Sequence, residues 1–495
     1  MENAPRKIEM SESKGQKHKS LVIRNVTLVN GRGTPASGPV DIAIEGDKIT
    51  GVVGVSPGAA SRPGYERPEG DMEVDAAGMY ALPGLVDMHV HVPFRETQCG
   101  PKGPEYAYKL FLAHGVTTIR TCGFGTDEKL IEHRRLGMAN KMVAPRIVVM
   151  GTTGEITTAD EGREAVHKLN KQGTDGIKMI PRSNITAEIL AAMGEEVRDL
   201  DMKAGIAVHI PQSSELDAVS ASEAVPDYLT LEHTYGIPQA AIPGSQSIPP
   251  DYNYSDEVDR FRWSGHVWTE ADKYPDDVLW VLDTMIENGT VWDPTMTVYE
   301  INREYELPSR WRWLERYTAP GLLESWKPDP ARHATYHFNW RTADEVAWKR
   351  KYQIWMRYLK TFADRGGIVT AGTDCGFMYT LYGFSIVREL ELLQEAGFHP
   401  IDVVKIATTN ATASMGLNHL AGGVQKGFTA DIAIVDGNPL DNFKVMYGTG
   451  VPRYSDDKTR MVQVGGVKWT IKAGILYDAK ALLRDVEEYV TELKG

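Results

Sequence analysis

Cysteine is scarce in this sequence: Cys99, Cys122 and Cys375 are the only three in 495 residues, and no CxxC spacing occurs. That scarcity argues against a disulfide framework and a structural zinc knuckle, and it fits an intracellular, cytoplasmic protein. Basic charge is in deficit as well, with Lys+Arg 54 against Asp+Glu 67, a net charge of −13, and no basic run to track a phosphate backbone. Nucleic acid is therefore not an expected partner. No apolar run is long enough to span a bilayer, and the opening MENAPRKIEMSESKGQKHKS lacks the apolar stretch of a secretory leader. The expectation is a protein without membrane association, with a flexible N-terminal tail over residues 1–19.

What is present is an ordinary globular composition, 42% hydrophobic and 24% charged, in a chain long enough for a barrel plus a companion domain. From Ser20 the runs LVIRNVTLVNG and VDIAIEGDKITGVVG alternate apolar and polar residues between turn formers, which reads as hairpins over 20–81. The same texture returns in TADIAIVDGNPL and MVQVGGVKWTIKAGILY, so 424–477 is expected to complete one small β-sandwich domain from the other end of the chain. A C-terminal helix over 478–495 follows.

Between these ends, over 82–423, eight strand-like runs alternate with helical patterns, the rhythm of βαβ units and a parallel sheet. They are LPGLVDMHVHV, TTIRTCG, RIVVMGT, GIKMI, IAVHI, YLTLEHT, TVWDPTM and IVTAGTD. The fold class is α/β, a (β/α)8 TIM-like barrel with the β-sandwich beside it. The rhythm breaks over about 236–350, far longer than an ordinary strand-to-helix connection. Ten of the eleven tryptophans fall between Trp263 and Trp355. These rings can form the core of the insertion, a lid over a pocket, or an interface, and the sequence leaves the three open.

His89 and His91 stand two apart at the end of the first barrel strand, so their side chains share a face. A lone His-x-His is also what a polar strand end looks like. However, Lys178 lies in the fourth strand, His209 in the fifth and His233 in the sixth, while Asp374 closes the eighth, each near the C-terminal end. In a barrel those ends converge on one mouth, where this fold places its chemistry. The set points to a metal centre at that mouth. His266, His333 and His337 in the insertion have no metal-site spacing and read as solvated or hydrogen-bonded.

The motifs PGLVDMHVHV, GVTTIRTCG, GTDGIKMI, GIAVHI, LTLEHT and AGTD, with IATTNATASMGL and GGVQKGFTADIAIVDGNPL after them, resemble the ordered strand motifs of the amidohydrolase superfamily, from about Val22 to Lys472. Within it the chain is most similar to the branch of imidazolonepropionase-related enzymes, Xaa-Pro and Xaa-Arg dipeptidases and ochratoxin amidases. The resemblance implies two divalent metal ions, best suited to zinc, with manganese or another ion as alternatives. His89, His91 and Asp374 would hold the first, His209 and His233 the second, and Lys178 would bridge them as a carbamate. A metal-bridging hydroxide would attack an amide or peptide-like C–N bond of a small molecule, with Asp374 as general base and then acid.

The chain also departs from that pattern. Thr121 follows Arg120 where relatives commonly carry Asp, and Val387 replaces a frequent His. These changes bear on specificity, so Arg182 and Tyr235 are named only as candidate contacts to the substrate, which is expected to carry an aromatic or bulky acyl group. A deaminase, a cyclic imide or amidine hydrolase, or a non-hydrolytic decarboxylase or cyclase could use the same ligands. A binding protein that has lost catalysis is the reading from another class. The resemblance further implies a homo-oligomer.

Overall fold

The computed structural model describes residues 14–123, 126–180, 185–210, 216–243, 249, 252–253, 256–329 and 339–495. Eight parallel strands form one sheet in sequential order: β1 (Leu85–Val90), β2 (Val116–Thr121), β3 (Arg146–Thr152), β4 (Gly176–Met179), β5 (Ile206–Val208), β6 (Leu229–Glu232), β7 (Val291–Asp293) and β8 (Ile368–Val369). All eight fall inside the sequence-predicted runs or within one residue of them. Every residue of β1, β2, β4, β5, β6 and β7 is buried, as a sheet covered on both faces requires.

The sheet comes round on itself. Met88 N donates to Ala371 O at 3.0 Å, Asp374 N to His89 O at 2.9 Å and His91 N to Cys375 O at 3.1 Å, tying β1 to the stretch just after β8. This is the closure of a TIM-like barrel, and it sets His89, His91 and Asp374 side by side.

Local chemistry explains the helices around the barrel. Ala159–Gln172 opens on a reciprocal cap between Thr158 and Glu161 and ends at Gly173, whose φ of 91° a side chain would strain. Ala187–Asp199 is capped by Thr186, whose hydroxyl accepts from Ile189 N, as the sequence suggests. The long 236–350 segment is more regular than its composition implies. Pro275–Glu287 leads into β7, and Thr342–Asp364 starts within it and leads into β8, both in the ordinary helix places of the barrel. The added piece includes Glu257–Ala271, which packs along Thr342–Asp364 through Trp348 Nε1 to Phe261 O (2.8 Å) and Lys351 Nζ to Ser264 Oγ (2.8 Å).

The two ends of the chain meet in a nine-stranded sheet, where Tyr80–Pro83 pairs antiparallel with Ile432–Asp436, and Gln16–Lys17 with Ile475–Asp478. In place of two separate layers, this single sheet curls back, with Ile49 N donating to Phe428 O and Ala430 N to Asp47 O. It wraps its own core, including Ile23, Ile42, Ile432 and Ile471. The helix Glu105–Ala113 lies between this sheet and the barrel, and Thr470 Oγ1 donates to Leu112 O at 2.6 Å.

Phe111 on that helix is fully buried at the junction. Phe111→Ala should cost about 3–5 kcal/mol and lower the melting temperature by several degrees. A melting temperature equal to wild type would show that the junction contributes nothing to stability.

Candidate active site

The mouth of the barrel is built where five strands end. His89 leaves β1 and His91 follows it. Lys178 lies in β4, His209 follows β5, His233 follows β6, and Asp374 follows β8. The carboxylate of Asp374 is the meeting point: Oδ1 lies 2.8 Å from His91 Nε2 and 3.6 Å from His89 Nε2, and Oδ2 lies 3.9 Å from His233 Nδ1. The His209 ring packs on His233 at 4.5 Å between centroids, and the His89 ring lies 4.9 Å from His233. One donor atom each from His89, His233 and Asp374 falls within 4.8 Å of the others, the spacing a shared cation needs.

The electrostatics suit ligation. Burial and the neighbouring Lys178 hold His89 well below the ordinary imidazole range, and burial with His209 and His89 does the same to His233. Both rings are thus neutral and carry a free lone pair, the form a metal requires. For Asp374, burial works against ionisation, but His89, His91 and Lys178 outweigh it and hold the carboxyl at about 2. Lys178 is 2% exposed, and its Nζ has no hydrogen-bond partner among the described residues. An orphaned amine in a buried, polar mouth is the observation that fits conversion to an anionic ligand.

Beneath the histidines lies a floor that sequence reading did not single out. Glu232 accepts from His89 Nδ1 at 2.5 Å and from Arg120 Nη2 at 2.6 Å, while Arg120 Nε donates to Met88 O at 2.6 Å. Fixing Nδ1–H in this way leaves Nε2 of His89 as the lone-pair nitrogen facing Asp374. Asp293 sits 3.6 Å from Arg120 and accepts from Thr370 Oγ1; burial first, then Glu232, pushes its carboxyl well above the usual range. Cys122, His89 and Glu232 also bring donor atoms within 4.8 Å, but Glu232 is already committed to Arg120 and His89, so this trio is part of the floor. The signal for the floor was available: Glu232 and Arg120 are charges inside otherwise uncharged, fully buried strands.

The backbone is strained at the same place. His233 (φ 66°), Thr295 (φ 48°) and Asp374 (φ 54°) hold left-handed conformations that cost on the order of 1 kcal/mol or more each. His233 is pinned by its N–H to Asp293 O, by Trp292 Nε1 to its carbonyl at 2.6 Å, and by Thr295 Oγ1 at 2.6 Å from its Nδ1. A Cβ on Gly372 would lie 2.1 Å from Asp293 Oδ2 and 2.8 Å from His89 Cβ, so only glycine admits this approach.

Tyr235 is 6% exposed, with its ring 5.2 Å from His209 and 5.9 Å from Tyr299. Phe377 meets His91 edge-on at 4.8 Å. Behind this aromatic wall Lys351 is fully buried, its Nζ 4.0 Å from the Trp348 centroid and 5.5 Å from those of Tyr235 and Tyr299. Arg182, His333 and His337 lie outside the described residues. His266 is hydrogen-bonded to Asp344 at 3.0 Å, as expected of a residue without a metal role. The two departures from the resembled pattern are absorbed in packing: Thr121 Oγ1 donates to Val148 O, and Val387 is buried on the helix Phe384–Glu395.

Two predictions follow from burial. Arg120→Met leaves Glu232 without its counter-ion and should destabilise by about 3–5 kcal/mol. Arg120→Lys keeps the charge but loses the fork, and should recover only part of the melting temperature; full recovery would show that the guanidinium geometry is irrelevant. Burial holds Lys351 well below the ordinary ammonium range, and the ring faces, worth about 2 kcal/mol, offset only part of several kcal/mol of desolvation. The unfolded chain therefore binds the proton more tightly. The contribution of this lysine worsens as pH falls below its unfolded value of about 10.4. Lys351→Met should melt higher than wild type at neutral pH, with the gap closing towards pH 10. A gap that is constant with pH would contradict a neutral amine.

Residues 356–469 match the Amidohydrolase family. An adenine deaminase of Gluconobacter oxydans (strain 621H) is 34% identical over 115 residues, which span 22% of this chain and only 16% of that protein. Two solved structures share the fold along nearly the whole chain. One is a Xaa-Pro dipeptidase, 20% identical with a TM-score of 0.60, covering 93% of this chain and 100% of that one. The other is A. niger ochratoxinase, 16% identical with a TM-score of 0.61, covering 93% and 96%. With the family matched over residues 356–469 and the fold over the whole barrel, the resemblance to the amidohydrolase superfamily is borne out.

Proposed function

We propose that this chain is a metal-dependent amidohydrolase that cleaves an amide or peptide-like C–N bond of a small molecule. The observation that carries the reading is the convergence of His89, His91, His233 and Asp374 beside the orphaned amine of Lys178. The donor set is nitrogen and carboxylate with neutral imidazoles, which suits zinc, or manganese in its place. His89, His91 and Asp374 would hold one ion, and His209 and His233 a second. Lys178 would lie between them, its amine combined with carbon dioxide as a carbamate.

When bound, such ions supply Lewis acidity and an acidified water at neutral pH. The remaining steps belong to the chain. Asp374, ionised and held by His91, is placed to accept the proton of the attacking water and pass it to the leaving nitrogen. Glu232 holds the Nδ1–H tautomer of His89, and the bond from Thr295 Oγ1 to Nδ1 orients the ring of His233. The ring wall of Tyr235, Tyr299 and Phe377 favours a substrate with an aromatic or bulky acyl group.

N-acyl amino acids and dipeptides should be hydrolysed with a mass gain of one water, and activity should fall on chelation and return with added zinc or manganese. Asp374→Asn should lower kcat by about 10²–10⁴-fold with little change in KM. Wild-type turnover by that variant would remove the mechanism. The match to an adenine deaminase supports a second reading, release of ammonia from an amino-purine, and adenine belongs in the same screen.

A further inference from the structure

A cavity of about 300 Å³ lies between Arg312–Tyr317 and the C-terminal helix Ala479–Lys494. Its lining includes four cations, Arg312, Arg316, Lys480 and Arg484, and one anion, Glu487, on a chain whose net charge is −13. None of the candidate active-site residues contributes to it.

Two of the cations are spent on structure. Arg316 forms a fork on Glu487 at 2.5 and 2.6 Å, and Lys480 Nζ donates to Gly448 O at 2.5 Å and Gly465 O at 2.8 Å. The ion pair also cancels the only negative charge in the lining. Arg312 and Arg484 have neither a hydrogen bond nor an ion pair among the described residues. Two exposed forked donors thus line one cavity with no protein acceptor among the described residues, beside two further cations.

The wall beside them is rigid. Trp313 is stacked between Trp311 (4.9 Å, 10° between planes) and Phe384 (5.0 Å, 17°), and Tyr317 packs on Phe384 at 5.5 Å. With both faces of Trp313 covered, the rings can offer the cavity only their edges, held in place without an ordering cost. The cavity is the size of a small-molecule site, apolar on one side with a few convergent charges on the other.

We propose that this pocket binds a small organic dianion, a phosphomonoester or a dicarboxylate, through Arg312 and Arg484, with the apolar part of the ligand against the Trp313 and Tyr317 wall. It is a second ligand site, separate from the barrel mouth.

The test is calorimetric titration of the full chain at low salt with adenosine monophosphate, glucose 6-phosphate and phthalate. Binding with a Kd at or below the millimolar range is expected for at least one probe, weakening as salt is added. The two phosphate probes against phthalate distinguish the anion type, and the nucleotide against the sugar phosphate reads the contribution of the wall. Arg312→Gln with Arg484→Gln should weaken that binding at least ten-fold, while Asp374→Asn leaves it unchanged. Both arginines are exposed, so the double variant should melt like wild type. Absence of binding by all three probes, binding that survives in the double variant, or binding lost in Asp374→Asn would each overturn the proposal. So would a change in molar mass of the double variant by light scattering, since that assigns the pocket to contact with another copy.

Discussion

Charge placed inside a closed barrel is the constraint on which this structure turns. Arg120, Glu232 and Asp293 are fully buried, where an unpaired ion would cost several kcal/mol. They are tolerable only as a set, with the guanidinium held against Met88 O and Glu232 and near Asp293. Glu232 in turn orients His89, and Asp293 accepts the amide proton of His233 through its backbone carbonyl. The upper layer of histidines and Asp374 therefore stands on a lower layer of ion pairs. The strained φ angle at His233 is held by the same layer, through its amide on Asp293 O.

Much of this was legible in the sequence. Strand periodicity with helices between located all eight barrel strands, because strands buried on both faces leave continuous apolar runs that polar loops interrupt, although the strands are shorter than the runs, as with Ile368–Val369 in IVTAGTD. The mouth was legible because His89, His91, Lys178, His209, His233 and Asp374 all stand at the same end of their strands. The floor was not read, although Arg120 and Glu232 sit inside quoted motifs. A single charge in a strand reveals its partner only when the barrel closes and brings β2 beside β6 across the interior. Lys351 was invisible for the same reason, lying on a helix whose contact with the mouth is set by tertiary packing.

The Trp-rich region shows length misleading organisation. Its length suggests two large excursions around the seventh strand, yet Pro275–Glu287 and Thr342–Asp364 are ordinary barrel helices. Trp268, Trp292, Trp348 and Trp355 are fully buried, and indole N–H groups of three of them tie Thr234, His233 and Phe261 into place. These four rings are thus core, whereas Trp280 is 54% exposed, and through Tyr235 and Tyr299 the same core reaches the mouth as its wall.

The sheet shared by the two chain ends has a consequence for synthesis. Ser20–Leu28, Ser37–Glu45 and Tyr80–Pro83 leave the ribosome before the barrel, but Tyr80–Pro83 has no antiparallel neighbour until Ile432–Asp436 has been made. The entire barrel must emerge while that strand edge waits open. The last strands then act as a clasp: the nascent chain spends most of its translation time with a sticky edge exposed, and premature release before residue 432 would yield a barrel that is aggregation-prone whatever its own stability.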